Sequence, residues 1–196
     1  FFFKQKTAYE MCGRDWSSDV CSSDLAAYFY GKYLIGGGKL FNNIKLTIQF
    51  EKFANNEGDY AYCDWTDDNN SCREFTIGMD KNLSKKESLL ALAHEMVHLK
   101  QYAKGEMKDI WKPVRMVRWQ GERYLHEEMD YWEQPWEIEA YGREKGLYFK
   151  FLNYLREGEP EIKCPPHSKR IKIMSRSKTI SRKQITITSN TMEKSD

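Results

Sequence analysis

Alternating and turn-bounded hydrophobic segments predict four or more strands in the middle of the chain. Residues 43–50 alternate apolar and polar side chains, as a strand with one buried face does. Residues 59–64 and 72–79 flank a polar segment rich in turn-forming residues, which predicts a β-hairpin. Residues 114–124 predict a second hairpin that turns at residues 120–121. The apolar positions of the alternating segment are Ile44, Leu46, Ile48 and Phe50.

Three other segments predict helices. Residues 26–35 form a short amphipathic segment that ends at three glycines. The second helix begins after Ser84, which forms a capping-box pattern with Glu87, and it should end near Gly105. The third begins at Pro135, a residue suited to the first helical position, and continues to about residue 157.

The first 25 residues resemble the translation of a sequencing-adapter read-through, of the kind found at the start of metagenomic reading frames. We therefore set residues 1–25 aside as an artefact that is not part of the predicted fold. If these residues are an artefact, the natural N-terminus is missing from the sequence, and a signal peptide is not excluded. Cys63, Cys72 and Cys164 remain, and the first two are expected to stay reduced rather than form a disulfide across the hairpin. Reduced cysteines favour a cytoplasmic protein.

Charge divides the remainder into a domain and a tail. Residues 164–196 carry eight basic and two acidic residues, a net charge of +6, with no aromatic residue. Such a segment buries too little apolar area to offset its ordering entropy, so we expect a disordered tail. This tail is the one part of the chain expected to attract nucleic acid. Residues 26–163 carry a net charge of −3 and are long enough for a single core.

The residues that carry chemistry are His94-Glu95-Met96-Val97-His98, an HExxH sequence. The two histidines lie on one helical face with Cβ atoms about 6 Å apart, so both can reach one metal ion. Glu95 is turned about 100° around the helix and can face a water without binding the metal. The three polar residues interrupt the longest apolar run, which excludes a membrane-spanning helix there. Left unpaired among apolar neighbours, each would cost about 1–3 kcal/mol.

A catalytic zinc ion usually has three protein ligands and an open fourth position. The candidates for the third ligand are His126, Glu137 and Glu139. The two glutamates differ by about 200° around a helix, so only one can face the site. Gly142, one turn beyond Glu139, would let two helices approach closely, and this favours Glu139.

Two motifs, LAHEMVHLKQY at residues 92–102 and PWEIEAYGRE at residues 135–144, resemble the zincin metallopeptidases of the gluzincin type. The resemblance is strongest to ImmA/IrrE-like and related phage-encoded proteins. It implies that His94 and His98 bind one Zn²⁺, that the glutamate between them is the catalytic base, and that Glu139, which is followed by alanine, is the third ligand. The long segment between the two motifs departs from the family pattern and leaves the subfamily and substrate open.

The same resemblance implies an α+β fold of minimal zincin type. A small antiparallel or mixed sheet would pack on the HExxH helix and on a second, ligand-bearing helix. In zincins the strand before the active helix is an edge that binds an extended peptide, which here implies residues 72–79. The substrate would be a protein or peptide, met in the cytoplasm, including that of a phage-infected host. The expected substrate-binding positions are Phe75, Thr76, Ile77 and Gly78, and the candidate donors to the oxyanion are Tyr102, Tyr124 and His126.

Two other interpretations stay open. In the SprT-like family a histidine is the third ligand, and His126 would take that role, although two glutamates follow it where that family has a glycine-containing pattern. Alternatively, the HExxH helix belongs to a non-catalytic zinc site and the basic tail binds nucleic acid.

Overall fold

The computed structural model describes residues 19–53, 60–66, 72–110, 114–125, 129–157 and 171–174, with backbone alone at 19–22 and 171–174. These residues form an α+β fold, as the sequence predicts. None of the helices in the described ranges is both long and apolar enough to span a membrane. In chain order the elements are α1 (Asp19–Ile35), α2 (Lys39–Asn42), β1 (Lys45–Glu51), β2 (Ala61–Trp65), β3 (Glu74–Asp80), α3 (Lys85–Ala103), β4 (Met107–Ile110), β5 (Met116–Trp119), β6 (Glu122–Leu125), a 3-10 turn (Tyr131–Glu133), α4 (Pro135–Glu157) and β7 (Ile171–Met174).

The larger sheet has four strands in the order β2-β3-β1-β7. Strand β1 runs parallel to both β3 and β7, and β2 runs antiparallel to β3, which confirms the predicted hairpin. The expectation that residues 72–79 form a sheet edge is wrong, because β3 is hydrogen-bonded to a strand on each side. Its backbone groups are therefore not available to an extended peptide. This correction applies to the four expected substrate-binding positions, Phe75, Thr76, Ile77 and Gly78.

Helix α3 is the central element of the core. It contacts α1, α4, β2 and β3, which explains why it is apolar on nearly every side. Ser84 and Glu87 form the predicted capping box, in which each side chain accepts from the other's backbone amide. The helix ends at Ala103, two residues before Gly105. Gly105 has a φ of +69°, which residue types other than glycine rarely adopt. The core side chains beneath the helix include Leu46, Ile48, Phe75, Ile77 and Met79.

The smaller sheet packs against the first turn of α4. Strands β4, β5 and β6 form an antiparallel meander, in which the predicted hairpin turns at Gln120 and Gly121 with φ of +47° and +99°. Strand β4 extends this hairpin and is not predicted from the sequence. The rings of Trp119 and Tyr124 pack on Trp136 in the first turn of α4, with centroids 6.4 Å and 6.0 Å away.

Both ends of the fold differ from the predicted boundaries. Helix α1 begins at Asp19, inside the segment that the sequence analysis sets aside, and Ser23 is buried. Residues 171–174 pair in parallel with β1, although they lie within the predicted disordered tail. Backbone pairing with an existing strand stabilises so short a segment even where the surrounding composition is polar. The other residues of the tail lie outside the described part of the chain.

Candidate metal centre

Helices α3 and α4 bring two histidines and one glutamate together. The Nε2 atoms of His94 and His98 lie 3.2 Å apart. The two carboxylate oxygens of Glu137 lie 3.3 Å from His94 Nε2 and 3.4 Å from His98 Nε2. Ligands about 2.0–2.1 Å from a tetrahedral metal ion lie about 3.3 Å from one another, so these separations fit a single ion. This buried His-His-Glu group can hold a metal ion.

The prediction of Glu139 as the third ligand is corrected here to Glu137. Glu139 is turned to the other side of α4, where one oxygen accepts from Lys100 Nζ at 2.7 Å and from Arg143 Nε at 2.8 Å. Gly142 does not mark a close contact between helices, because a Cβ atom at that position would have no heavy atom within 4 Å. No close helix approach occurs there, and Glu139 instead forms an ion pair with the buried ammonium group of Lys100.

Each histidine also has a hydrogen bond on its outer nitrogen. His94 Nδ1 lies 3.2 Å from Glu144 Oε2, and His98 Nδ1 lies 2.9 Å from Gln101 Oε1. Because a carboxylate oxygen and an amide oxygen accept, both Nδ1 atoms donate, so in its neutral form each imidazole directs the lone pair of its Nε2 atom to the centre. Sequence reasoning missed Glu144 and Gln101. The sequence feature that could have identified them is helical spacing: Glu144 lies about two turns beyond Glu137, and Gln101 lies one turn beyond His98.

Gln101 is held in a fixed orientation between the two helices. The side chain is fully buried, and its Nε2 donates to Trp136 O at 3.0 Å and to Glu139 Oε2 at 3.1 Å. With both amide hydrogens used in this way, the amide oxygen faces His98. Lys100, which is 7% exposed, bridges Glu139 to Glu106. The predicted ligand Glu139 therefore supports His98 indirectly, through Gln101.

Two tyrosines adjoin the ligands from the solvent side. Tyr131 donates its hydroxyl to Glu137 Oε2 at 2.8 Å, and its oxygen lies 3.4 Å from the hydroxyl of Tyr141. The Tyr141 ring packs edge-on against the His94 ring, with centroids 4.6 Å apart. Neither tyrosine was predicted from the sequence as a site residue. The sequence feature that could have identified them is the high density of aromatic residues around Pro135.

Charge and burial set the protonation of the centre in the metal-free protein. Burial by itself lowers the pKa of His98, but the hydrogen bond and charge of Glu137 raise that pKa to about 9. Burial raises the pKa of Glu137, but the hydrogen bonds from His94 and His98 outweigh it and hold that pKa well below its usual range. For Glu95, which is 7% exposed, burial raises the pKa more than the charges of the two histidines lower it.

Two of the three candidate oxyanion donors, Tyr102 and Tyr124, make their described contacts away from the ligand group. The hydroxyl of Tyr102 donates to Asp109 at 3.3 Å. The Tyr124 ring packs against Trp136. His126 lies outside the described residues, which leaves its predicted roles as ligand or donor as predictions.

Strand β2 passes next to Glu95. Burial raises the pKa of the Cys63 thiol, and the negative charges of Glu95 and Asp64 raise it further. Asp64 likewise raises the pKa of Glu95, so β2 and the HExxH glutamate are electrostatic neighbours. Cys63 and Cys72 form no disulfide with each other, as predicted. Among the described strands, β2 is an edge of the larger sheet that contacts α3, the HExxH helix.

Comparisons with protein-family models, with curated proteins and with solved structures give no match. The interpretation of the centre therefore rests on its own geometry.

Proposed function

We propose that this protein is a zinc-dependent metallopeptidase, a hydrolase that cleaves peptide bonds. The observation that carries the proposal is the group of two imidazole nitrogens and one carboxylate, separated by 3.2–3.4 Å, with a buried glutamate next to one of the histidines on the same helix. Two imidazoles and one carboxylate form a donor set that suits Zn²⁺, and catalytic zinc sites commonly have this composition.

Glu95 is the proposed general base. A zinc ion held by His94, His98 and Glu137 would act as a Lewis acid, which would lower the pKa of a water molecule towards 7 and polarise the scissile carbonyl. Burial raises the pKa of Glu95, which makes its carboxylate a stronger base. Glu95 takes the proton of the attacking water and then delivers it to the leaving amine.

Tyr131 is the proposed donor to the negative charge that develops on the carbonyl oxygen. Its hydroxyl already lies at Glu137, beside the ligand atoms, in contrast to the hydroxyl of Tyr102. Burial and the hydrogen bond with Tyr141 raise the pKa of Tyr131, so the hydroxyl keeps its proton and remains a donor. An O–H group held next to the reacting carbonyl stabilises the transition state electrostatically.

Strand β2 is the proposed site for the peptide backbone, in place of β3. Among the described strands β2 is an edge of the larger sheet, and it contacts α3, the helix that carries Glu95. An extended peptide can add to such an edge through main-chain hydrogen bonds, which are independent of peptide sequence. The scissile bond would then pass in front of the ligand group.

The proposal is tested with the full chain loaded with zinc and with Glu95→Gln. We expect one zinc ion per chain in both proteins, because Glu95 is not a ligand. The parent should cleave unfolded casein, and the variant should lose about 10²–10⁴-fold in rate. Glu122→Gln, a neutralised exposed glutamate on β6, is the matched control and should cleave like the parent. A zinc-loaded parent without activity, or a variant as active as the parent, would contradict the proposal.

A further inference from the structure

Three exposed aromatic side chains form a continuous surface beside the metal centre. Tyr131, Trp132 and Tyr141 are 40%, 66% and 39% exposed, and we call them the aromatic shelf. The Trp132 ring lies 5.2 Å from the Tyr141 ring and 5.3 Å from the Tyr131 ring, centroid to centroid. Exposed tryptophan and tyrosine side chains in one patch are typical of binding surfaces.

The shelf is continuous with the metal ligands. At its inner end, the Tyr141 ring packs on His94 and the Tyr131 hydroxyl contacts Glu137. At its outer end is Trp132, the most exposed of the three rings. The inner end of this shelf is therefore in direct contact with two of the ligand residues, so a group bound on it lies beside the metal centre.

The backbone beneath the shelf is fixed before any ligand binds. Asp130 caps the 3-10 turn by accepting from the Trp132 amide at 2.8 Å. Gln134, which is 5% exposed, joins this turn to α4, because its carbonyl accepts from the amides of Glu137 and Ile138 at 3.0 Å. A preformed aromatic surface loses little conformational entropy when it binds a partner.

We propose that the aromatic shelf binds an aromatic or large aliphatic side chain of the peptide substrate, adjacent to the bond that is cleaved. This inference rests on the proposed peptidase function and specifies the substrate class. An aromatic or large aliphatic side chain is similar in area to one ring of the shelf. An aromatic side chain also gains stability from ring–ring contact, beyond the burial of apolar area. Asp130 and Glu133 are exposed in the same turn, and their negative charge disfavours acidic side chains and anionic lipid surfaces.

The binding test uses zinc-loaded Glu95→Gln, which holds peptides without cleaving them, and blocked peptides Ala-Ala-X-Ala-Ala with X as Phe, Leu, Ala or Glu. Calorimetry should show the Phe peptide binding at least about tenfold more tightly than the Ala peptide, with the Glu peptide weakest. Adding Trp132→Ala should remove most of this preference, whereas Trp132→Phe should retain it. The matched control is Phe149→Ala, which removes a ring 61% exposed elsewhere on α4 and should change nothing.

The activity test uses the same peptides with the zinc-loaded parent, and it separates this inference from the proposed function. Failure to cleave any peptide, with the Phe preference in binding intact, would overturn the hydrolysis and leave the shelf supported. Equal binding of the Phe and Ala peptides, or an unchanged preference in Trp132→Ala, would overturn the shelf proposal whether or not cleavage occurs. If Trp132→Ala instead converts a dimer into a monomer without altering peptide preference, the surface pairs two copies of the chain, which also overturns the proposal.

Discussion

Glu144 contacts the outer nitrogen of His94, with its Oε2 3.2 Å from His94 Nδ1. The carboxylate can only accept, so it fixes the histidine tautomer in which Nε2 is available to a metal ion. On the other histidine, an uncharged amide from Gln101 has the same function. The centre therefore has one charged and one neutral outer partner. The charged partner should contribute more to zinc affinity, because a carboxylate raises the basicity of an imidazole more than an amide does.

We expect Glu144→Ala to weaken zinc binding about 10–100-fold, since it removes the group that orients and polarises His94. Glu144→Gln should weaken it less, because the amide oxygen can still accept from Nδ1. Competition with a chromogenic chelator measures both dissociation constants. Glu157→Ala, at the exposed end of the same helix, is the control. A dissociation constant for Glu144→Ala equal to that of the parent would show that His94 needs no outer partner.

The two glutamates of α4 should respond in opposite ways to replacement by alanine. Glu137→Ala should lose the zinc ion, because it removes a ligand. Glu139→Ala should keep one zinc ion but lower the free energy of unfolding by about 1.5–3 kcal/mol, since the buried Lys100 loses one of its two carboxylate partners. Metal analysis by mass spectrometry and urea unfolding measure the two effects. Loss of zinc from Glu139→Ala or from His126→Ala, but not from Glu137→Ala, would contradict the ligand assignment.

The features that could be predicted from the sequence are those that depend on near neighbours in the chain. The capping box of Ser84 and Glu87 and the turn at residues 120–121 involve contacts within a few residues. The HExxH spacing likewise places two imidazoles on one helical turn, as observed for His94 and His98. In each case the helical or hairpin geometry alone determines which groups meet.

The features that could not be predicted depend on contacts between distant segments. Helical geometry shows that Glu137 and Glu139 point in different directions, but it does not show which one meets the HExxH face. In the structure Glu139 forms an ion pair with Lys100 on α3, a contact between segments far apart in the sequence. The pairing of β3 on both sides is also non-local, because β1 joins it across a long separation in sequence. Alternation alone does not distinguish such a strand from an edge.

The metal-free protein should lose stability as the pH rises from 6.5 to about 9. Its folded state raises the pKa of His98 from 6.5 to about 9, so the stabilising contribution is complete below the lower value and lost through the upper one. Zinc requires the neutral imidazole, so its apparent affinity should rise over the same interval, by about tenfold per pH unit. Thermal unfolding without metal, and zinc titration across this range, measure the two trends.

Glu137→Gln is the control for the pH prediction. The raised pKa of His98 depends on the hydrogen bond and charge of Glu137, so this variant should unfold at a temperature that changes little over that range. If the metal-free parent became more stable between these pH values, or if the variant kept the full trend, the assigned ion pair would be wrong.

Gly78, which was expected to bind substrate, should instead be required for packing within the sheet. It pairs with Tyr62 across the hairpin, and a Cβ atom at Gly78 would overlap the Tyr62 ring, whose hydroxyl donates to Glu51 at 2.9 Å. We expect Gly78→Ala to lower the free energy of unfolding by about 1–3 kcal/mol, as overpacking does. In a Tyr62→Ala background the same substitution should cost much less, because the overlapping ring is gone.

Gly142→Ala is the control: it adds a methyl group into open space on a helix and should stabilise the protein by up to about 1 kcal/mol. Urea unfolding of these variants would contradict the packing role if Gly78→Ala cost the same with and without the Tyr62 ring.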